Sequence, residues 1–151
     1  RLYFFLEVRD DLFSGSVIPV GRDEIPRVHP ELGMVRQRHT GEDALFVYID
    51  TDAADAIGPY VNGIFSDSAL EVRGQYGAIT SALLYRWDSD AVTWELVGGG
   101  DVAKDGNKIE GSINIAAFRS SQFLVTFNLV GWDGSADKTL PISVSTTLPA
   151  S

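Results

Sequence analysis

The sequence predicts an all-β fold, an antiparallel two-sheet sandwich of the jelly-roll or immunoglobulin kind with few or no helices. Three observations carry this. Apolar residues alternate with polar ones in run after run between residues 44 and 130, the period of a strand with one buried face. Each run is closed by turn residues: Gly74 and Gly77, Asp88-Ser89-Asp90, Gly98-Gly99-Gly100, Asp105-Gly106-Asn107. Helical periodicity is absent, and the best helical stretch, Asp52–Gly58, is too short for more than a turn or two.

The elements follow in chain order. Residues 2–8 set Leu2, Phe4, Leu6 and Val8 on one face and Tyr3, Phe5 and Glu7 on the other. With both faces largely apolar, this strand is expected to be central and covered on both sides. Residues 9–43 are irregular, broken by Pro19, Pro26, Pro30 and by Gly15, Gly21, Gly33 and Gly41. So long a connection is unusual inside a domain. Its ten large apolar side chains, from Leu12 and Phe13 to Met34 and Val35, predict an excursion packed over the sandwich. The strand runs are then Ala44–Asp50, Ala69–Arg73, Ala78–Trp87, Ala91–Val97, Lys108–Ile115 and Gln122–Val130. Residues 1–140 form one sandwich domain, and 141–151 read as a last edge strand or a linker tail.

Composition narrows the function classes. The 151 residues suit one domain with an ordinary core, since 44% are hydrophobic. A net charge of −9 repels a phosphate backbone, so no nucleic-acid partner is expected. Cysteine is absent, which excludes disulfides, thiolate metal sites and cysteine nucleophiles. No run approaches the ~20 apolar residues of a membrane span, and no membrane insertion is expected. The opening residues read directly as a strand, so the chain is expected to be a processed or excised piece of something longer.

Two groups of residues are candidate sites. Asp50, Asp52 and Asp55 cluster where an apolar strand reaches the surface. Calcium takes six to eight oxygens, which carboxylates and loop carbonyls supply, so calcium is the one cofactor the sequence suggests. Turn-capping acids facing water are the plainer account. The second group is aromatic: Trp87, Trp132 and Tyr60 are candidate ligand-binding rings, because planar rings on a sandwich stack on sugar faces. Core packing competes for each ring, and Trp94, in step with Val92 and Leu96, reads as core. His29 and His39 lie in the excursion without a second ligand at zinc-like spacing. Arg22, Arg27, Arg36 and Arg38 make that segment locally basic beside Asp23, Glu24, Glu31 and Glu42. Enzyme signatures such as Gly-x-Ser-x-Gly and His-Glu-x-x-His are missing, so the expectation is a protein that is not an enzyme.

The run LFVYIDTD at 45–52, the later Gly58, Tyr60 and Gly63, then ALEVRGQYGAITSALLYRWD at 69–88 and WELVGGG at 94–100 carry a resemblance. The chain resembles archaeal extracellular domains related to family 9 carbohydrate-binding modules and DOMON domains, over about residues 44–132. The resemblance implies an antiparallel sandwich acting as a non-catalytic accessory module of a larger secreted or cell-surface protein. It also implies structural calcium near acidic loops, and sugar or haem as ligand. Haem relatives use Met and His ligands. Here Met34, His29 and His39 all fall in the 9–43 excursion, so haem is not carried over. The expected ligand is a glycan. The alternative is a structural domain of a surface layer, pilus or filament, whose partner is a neighbouring domain or subunit.

Overall fold

The run Ala44–Asp50 shows why these residues make a sheet. Seven consecutive side chains, five of them large and apolar, are all buried, which requires a strand packed on both faces. A computed structural model describes residues 2–9, 12–13, 27–29, 34–36, 43–51, 56–114, 122–131, 136–139 and 142–145. It contains fourteen strands and no helix among those residues. They are β1 (Leu2–Glu7), β2 (Arg27–His29), β3 (Met34–Arg36), β4 (Asp43–Asp50), β5 (Tyr60–Val61), β6 (Ile64–Phe65) and β7 (Ser68–Gln75). The second half holds β8 (Ala78–Asp88), β9 (Thr93–Gly99), β10 (Asp101–Asp105), β11 (Lys108–Ile113), β12 (Gln122–Val130), β13 (Ala136–Lys138) and β14 (Ile142–Ser145).

All pairing is antiparallel. A seven-stranded sheet runs β13-β12-β4-β7-β8-β9, with β14 pairing β12 as well. β14 takes Gln122–Val125 and β13 takes Asn128–Val130, so the two share one edge of β12. Thr139 lies between them and bridges the gap: its hydroxyl accepts from Phe127 N–H at 3.0 Å, and its carbonyl accepts from the Thr126 hydroxyl at 2.9 Å. A three-stranded sheet runs β1-β11-β10. Two small hairpins, β2–β3 and β5–β6, complete the described structure.

The sandwich core lies between the two main sheets. Leu2 and Phe4 of β1 and Ile109 and Ile113 of β11 meet Leu45, Val47 and Ile49 of β4, Leu70 and Val72 of β7, and Phe123, Val125 and Phe127 of β12. Phe4 and Phe127 touch across the layers, with ring centroids 6.0 Å apart. Gly111 makes room for this, because a Cβ there would lie 2.5 Å from the Phe4 ring. Leu12 and Phe13 close the same core and are both buried. The Phe13 carbonyl accepts from Gly77 N–H at 2.7 Å. Within the 9–43 segment, residues 10–11, 14–26, 30–33 and 37–42 fall beyond the described residues.

A second cluster covers the other face of the seven-stranded sheet. Ala44, Phe46 and Tyr48 of β4, Ala69 of β7, Tyr85 of β8 and Trp94 of β9 are buried there with Val61 and Ile64 of the β5–β6 hairpin. This explains why β4 is apolar at every position from Ala44 to Ile49 and why β7 is buried from Ser68 to Gly74.

One expectation is corrected. β1 is an outer strand of the three-stranded sheet, not a central one, and among the described residues it pairs with β11 alone. Its inner side chains enter the core, while Tyr3 and Phe5 on the outer face are exposed. The two-faced apolar pattern therefore reports an uncovered aromatic face.

Candidate functional site

The described candidate residues gather at one end of the seven-stranded sheet, where β4 and β8 finish and β7 and β9 begin. Asp50 ends β4 in register with Leu124 of β12. It shares the parity of Phe46 and Tyr48 and is buried. Next to it, Thr51 is held by Asp67: the Thr51 N–H and hydroxyl both donate to Asp67 Oδ2, at 2.8 and 2.6 Å. The Ser68 hydroxyl donates to Asp67 Oδ1 at 3.0 Å. Asp67 thus ties the end of β4 to the start of β7. The sequence reading passed over it, although Ser66-Asp67-Ser68 is a turn signal.

Asp52 and Asp55, the other two acids of the calcium expectation, lie outside the described residues, as do Trp132 and His39. His29 and Met34 sit in β2 and β3, opposite one another in the hairpin register. Among the described residues no group of three His, Cys, Asp or Glu side chains is placed to hold a metal ion.

The hairpin β5–β6 carries Tyr60. Its two-residue turn is Asn62-Gly63, with φ of 49° and 94°, the combination a type I′ turn demands. Asn62 Nδ2 donates to Asn128 Oδ1 at 3.0 Å, which pins the hairpin tip to β12. At the base, Gly58 has φ of 101°, and a Cβ there would sit 1.9 Å from the Ser66 carbonyl oxygen. Only glycine closes this loop without moving its backbone. Val61 and Ile64 face the sheet and are buried, so Tyr60 and Phe65 face away from it. The two rings stand edge to face with centroids 5.1 Å apart, Tyr60 66% exposed and Phe65 37%.

Trp87 comes from the last turn of the ladder in β8. Its N–H donates to the Asp67 carbonyl at 2.8 Å, linking it to the same strand junction. It pairs in register with Trp94 of β9, and the rings stand edge to face at 5.5 Å and 72°. Trp94 is buried as expected, though Val92 and Leu96 in step with it are exposed, while Trp87 is half-buried at the rim of the outer cluster. Among the described residues the Trp94 indole N–H finds no hydrogen-bond acceptor, an uncommon state for a buried donor. Beyond it on the same edge strand, Leu96 is exposed in register with Tyr85.

This end of the molecule therefore offers aromatic surface held on a rigid frame. Of its described acids, Asp50 is buried and Asp67 and Asp88 are engaged in local hydrogen bonds, while Asp90 is exposed. Such an arrangement suits stacking on an apolar or partly apolar ligand face. Compared with known proteins, the chain matches no family model, no curated protein and no solved structure.

Proposed function

We propose that this domain is a non-catalytic binding or accessory module of a larger secreted or cell-surface protein, and that its ligand is a glycan. The observation that carries the reading is the Tyr60–Phe65 pair, exposed on a hairpin whose tip and base are both fixed. Rings immobilised before binding lose little entropy when a ligand stacks on them. The half-buried Trp87 at the same end of the sheet supports the same reading. An acceptor on a ligand that displaces Trp87 would also satisfy the unpaired Trp94 indole N–H.

Glycan-array profiling of the 151-residue chain tests the proposal, in millimolar calcium and in chelator, with titration calorimetry on the best glycan. Tyr60→Ala should weaken that binding at least tenfold and leave the melting temperature unchanged, because the ring is exposed. Trp87→Phe should weaken it less. Binding lost in chelator would draw the strand-end acids Asp50, Asp52 and Asp55 into the site. An array with no bound glycan, or binding indifferent to Tyr60→Ala, would sink the reading.

A further inference from the structure

The sequence of residues 1–7, which contains β1, is self-complementary about Phe4. Counting outward from Phe4, Tyr3 and Phe5 are both aromatic, Leu2 and Leu6 are identical, and Arg1 and Glu7 carry opposite charges. The strand lies at the edge of the three-stranded sheet, and among the described residues its other edge has no partner. Leu2 and Phe4 are buried in the inter-sheet core and Leu6 packs against it. On the outer face Tyr3 is 74% exposed and Phe5 60%. The devices that usually guard an edge are missing from LYFFLE: it holds no proline and no lysine, and its pairing with β11 runs without a bulge.

We propose that β1 is a homodimer contact, pairing antiparallel with β1 of a second copy of this chain about a two-fold axis through Phe4. Opposed residues in a ladder project to the same face. In this register Tyr3 lies across from Phe5 of the second copy, and Phe5 across from its Tyr3. Leu2 lies across from Leu6 in the same way, so inward leucines meet inward leucines. In the sequence Arg1 and Glu7 stand at equal distances from Phe4 with opposite charges, so the segment is charge-complementary to a reversed copy of itself. The two three-stranded sheets become one of six strands. Slipping the register by one residue would oppose inward to outward side chains. Slipping it by two would keep the faces but set Tyr3 against Tyr3 and leave Phe5 and Leu6 without opposed residues in β1, or set Tyr3 against Glu7. An isologous contact of this kind closes on itself and yields a dimer, not a fibre. The net charge of −9 on each copy opposes association through a long-range field that salt screens. The dimer therefore strengthens as salt is added. The inference stands independently of the glycan reading, which concerns the other sheet.

Sedimentation velocity on the chain over a range of concentrations, at low and raised salt, is the first measurement. The expected result is a monomer–dimer equilibrium that shifts toward dimer with salt. Tyr3→Lys/Phe5→Lys sets two lysine pairs face to face and should raise the dissociation constant at least tenfold. Tyr3→Lys/Phe5→Glu sets lysine across from glutamate in the same register and should restore the dimer. Both altered side chains are exposed, so the circular dichroism spectrum should not change. Because the chain has no cysteine, single variants also report the register. Tyr3→Cys mixed with Phe5→Cys should cross-link on oxidation in higher yield than either variant alone. A parent that stays monomeric at every concentration overturns the proposal. So does a dimer indifferent to the lysine pair, or equal cross-linking in all three samples. A chain that is monomeric alone and captures a foreign strand on β1 would equally refute self-pairing.

Discussion

Glu71 and Arg73 stand two residues apart on β7, so both side chains leave the same face of the sheet. Arg73 Nε donates to Glu71 Oε1 at 3.1 Å and a second guanidinium nitrogen reaches Oε2 at 3.5 Å. Both are buried, opposite Phe46 and Ala44 of β4 on one side and Leu83 and Ser81 of β8 on the other. Burial has cost both groups hydration, and losing one member removes the buried counter-charge of the other. Either Glu71→Leu or Arg73→Met alone should therefore cost about 3–5 kcal/mol in urea unfolding. The double variant should cost much less than the sum, and simple additivity would show the pair to be uncoupled. The alternation of Leu70 and Val72 made the core face of this strand legible in the sequence. It assigned Glu71 and Arg73 to the opposite face, but could not show that this face is buried too. A charged residue in a strand ordinarily means solvent, and here a neighbouring charge takes its place. Trp94 is buried as expected, but Val92 and Leu96, in step with it, are exposed, so the ring is buried alone and not as part of an apolar strand face.

At the scale of elements, strands with a strong period and clear punctuation were readable to within a few residues. Gln122–Val130 coincides with β12, and the run from Ala78 differs from β8 by one residue. Several short elements escaped, β10 and the β5–β6 pair among them. β10 (Asp101–Asp105) alternates only Val102 and Lys104 inward, and its polar composition hides it. β5 and β6 are two residues each, too short for a period, and the Asn62-Gly63 turn that betrays them was not used. The site suffered accordingly. Tyr60 was singled out as a ring, but its partner Phe65 follows only once that hairpin is drawn, and the Asn62–Asn128 bond that anchors the hairpin comes from long-range pairing that no local pattern reveals. The β8–β9 connection holds a different clue. Asp88 Oδ1 accepts from the N–H groups of Asp90 and Ala91, at 3.0 and 3.1 Å, and fixes the first part of the loop. The chain then turns back through Val92 at φ of 53°, a conformation that a β-branched side chain resists. Val92 is exposed, so its side chain contributes little packing in return. Val92→Gly should stabilise the domain by about 1 kcal/mol, the order of the left-handed penalty for an L-residue. An unchanged or lowered melting temperature would mean that the loop relaxes some other way.

For the whole molecule, β4 and β7 are common to both apolar clusters. Leu45, Val47 and Ile49 alternate with Ala44, Phe46 and Tyr48 along one strand, so the inter-sheet core and the outer cluster share a backbone. Neither layer can lose its contacts while that backbone stays in register, because a slip of one residue exchanges the two faces. The two layers should therefore unfold together. Tryptophan gives a way to see this: Trp87 and Trp94 belong to the outer cluster, whereas Phe127 lies in the inter-sheet core against Phe4. Phe127→Ala removes a buried ring from the inner layer alone and should cost about 3–5 kcal/mol. If the sheet couples the layers, tryptophan fluorescence and far-ultraviolet circular dichroism will lose their signals at one common, lowered midpoint in urea. If fluorescence keeps the parent midpoint while the dichroism falls early, the outer cluster is an independent unit. The shared strands would then transmit less than their packing implies.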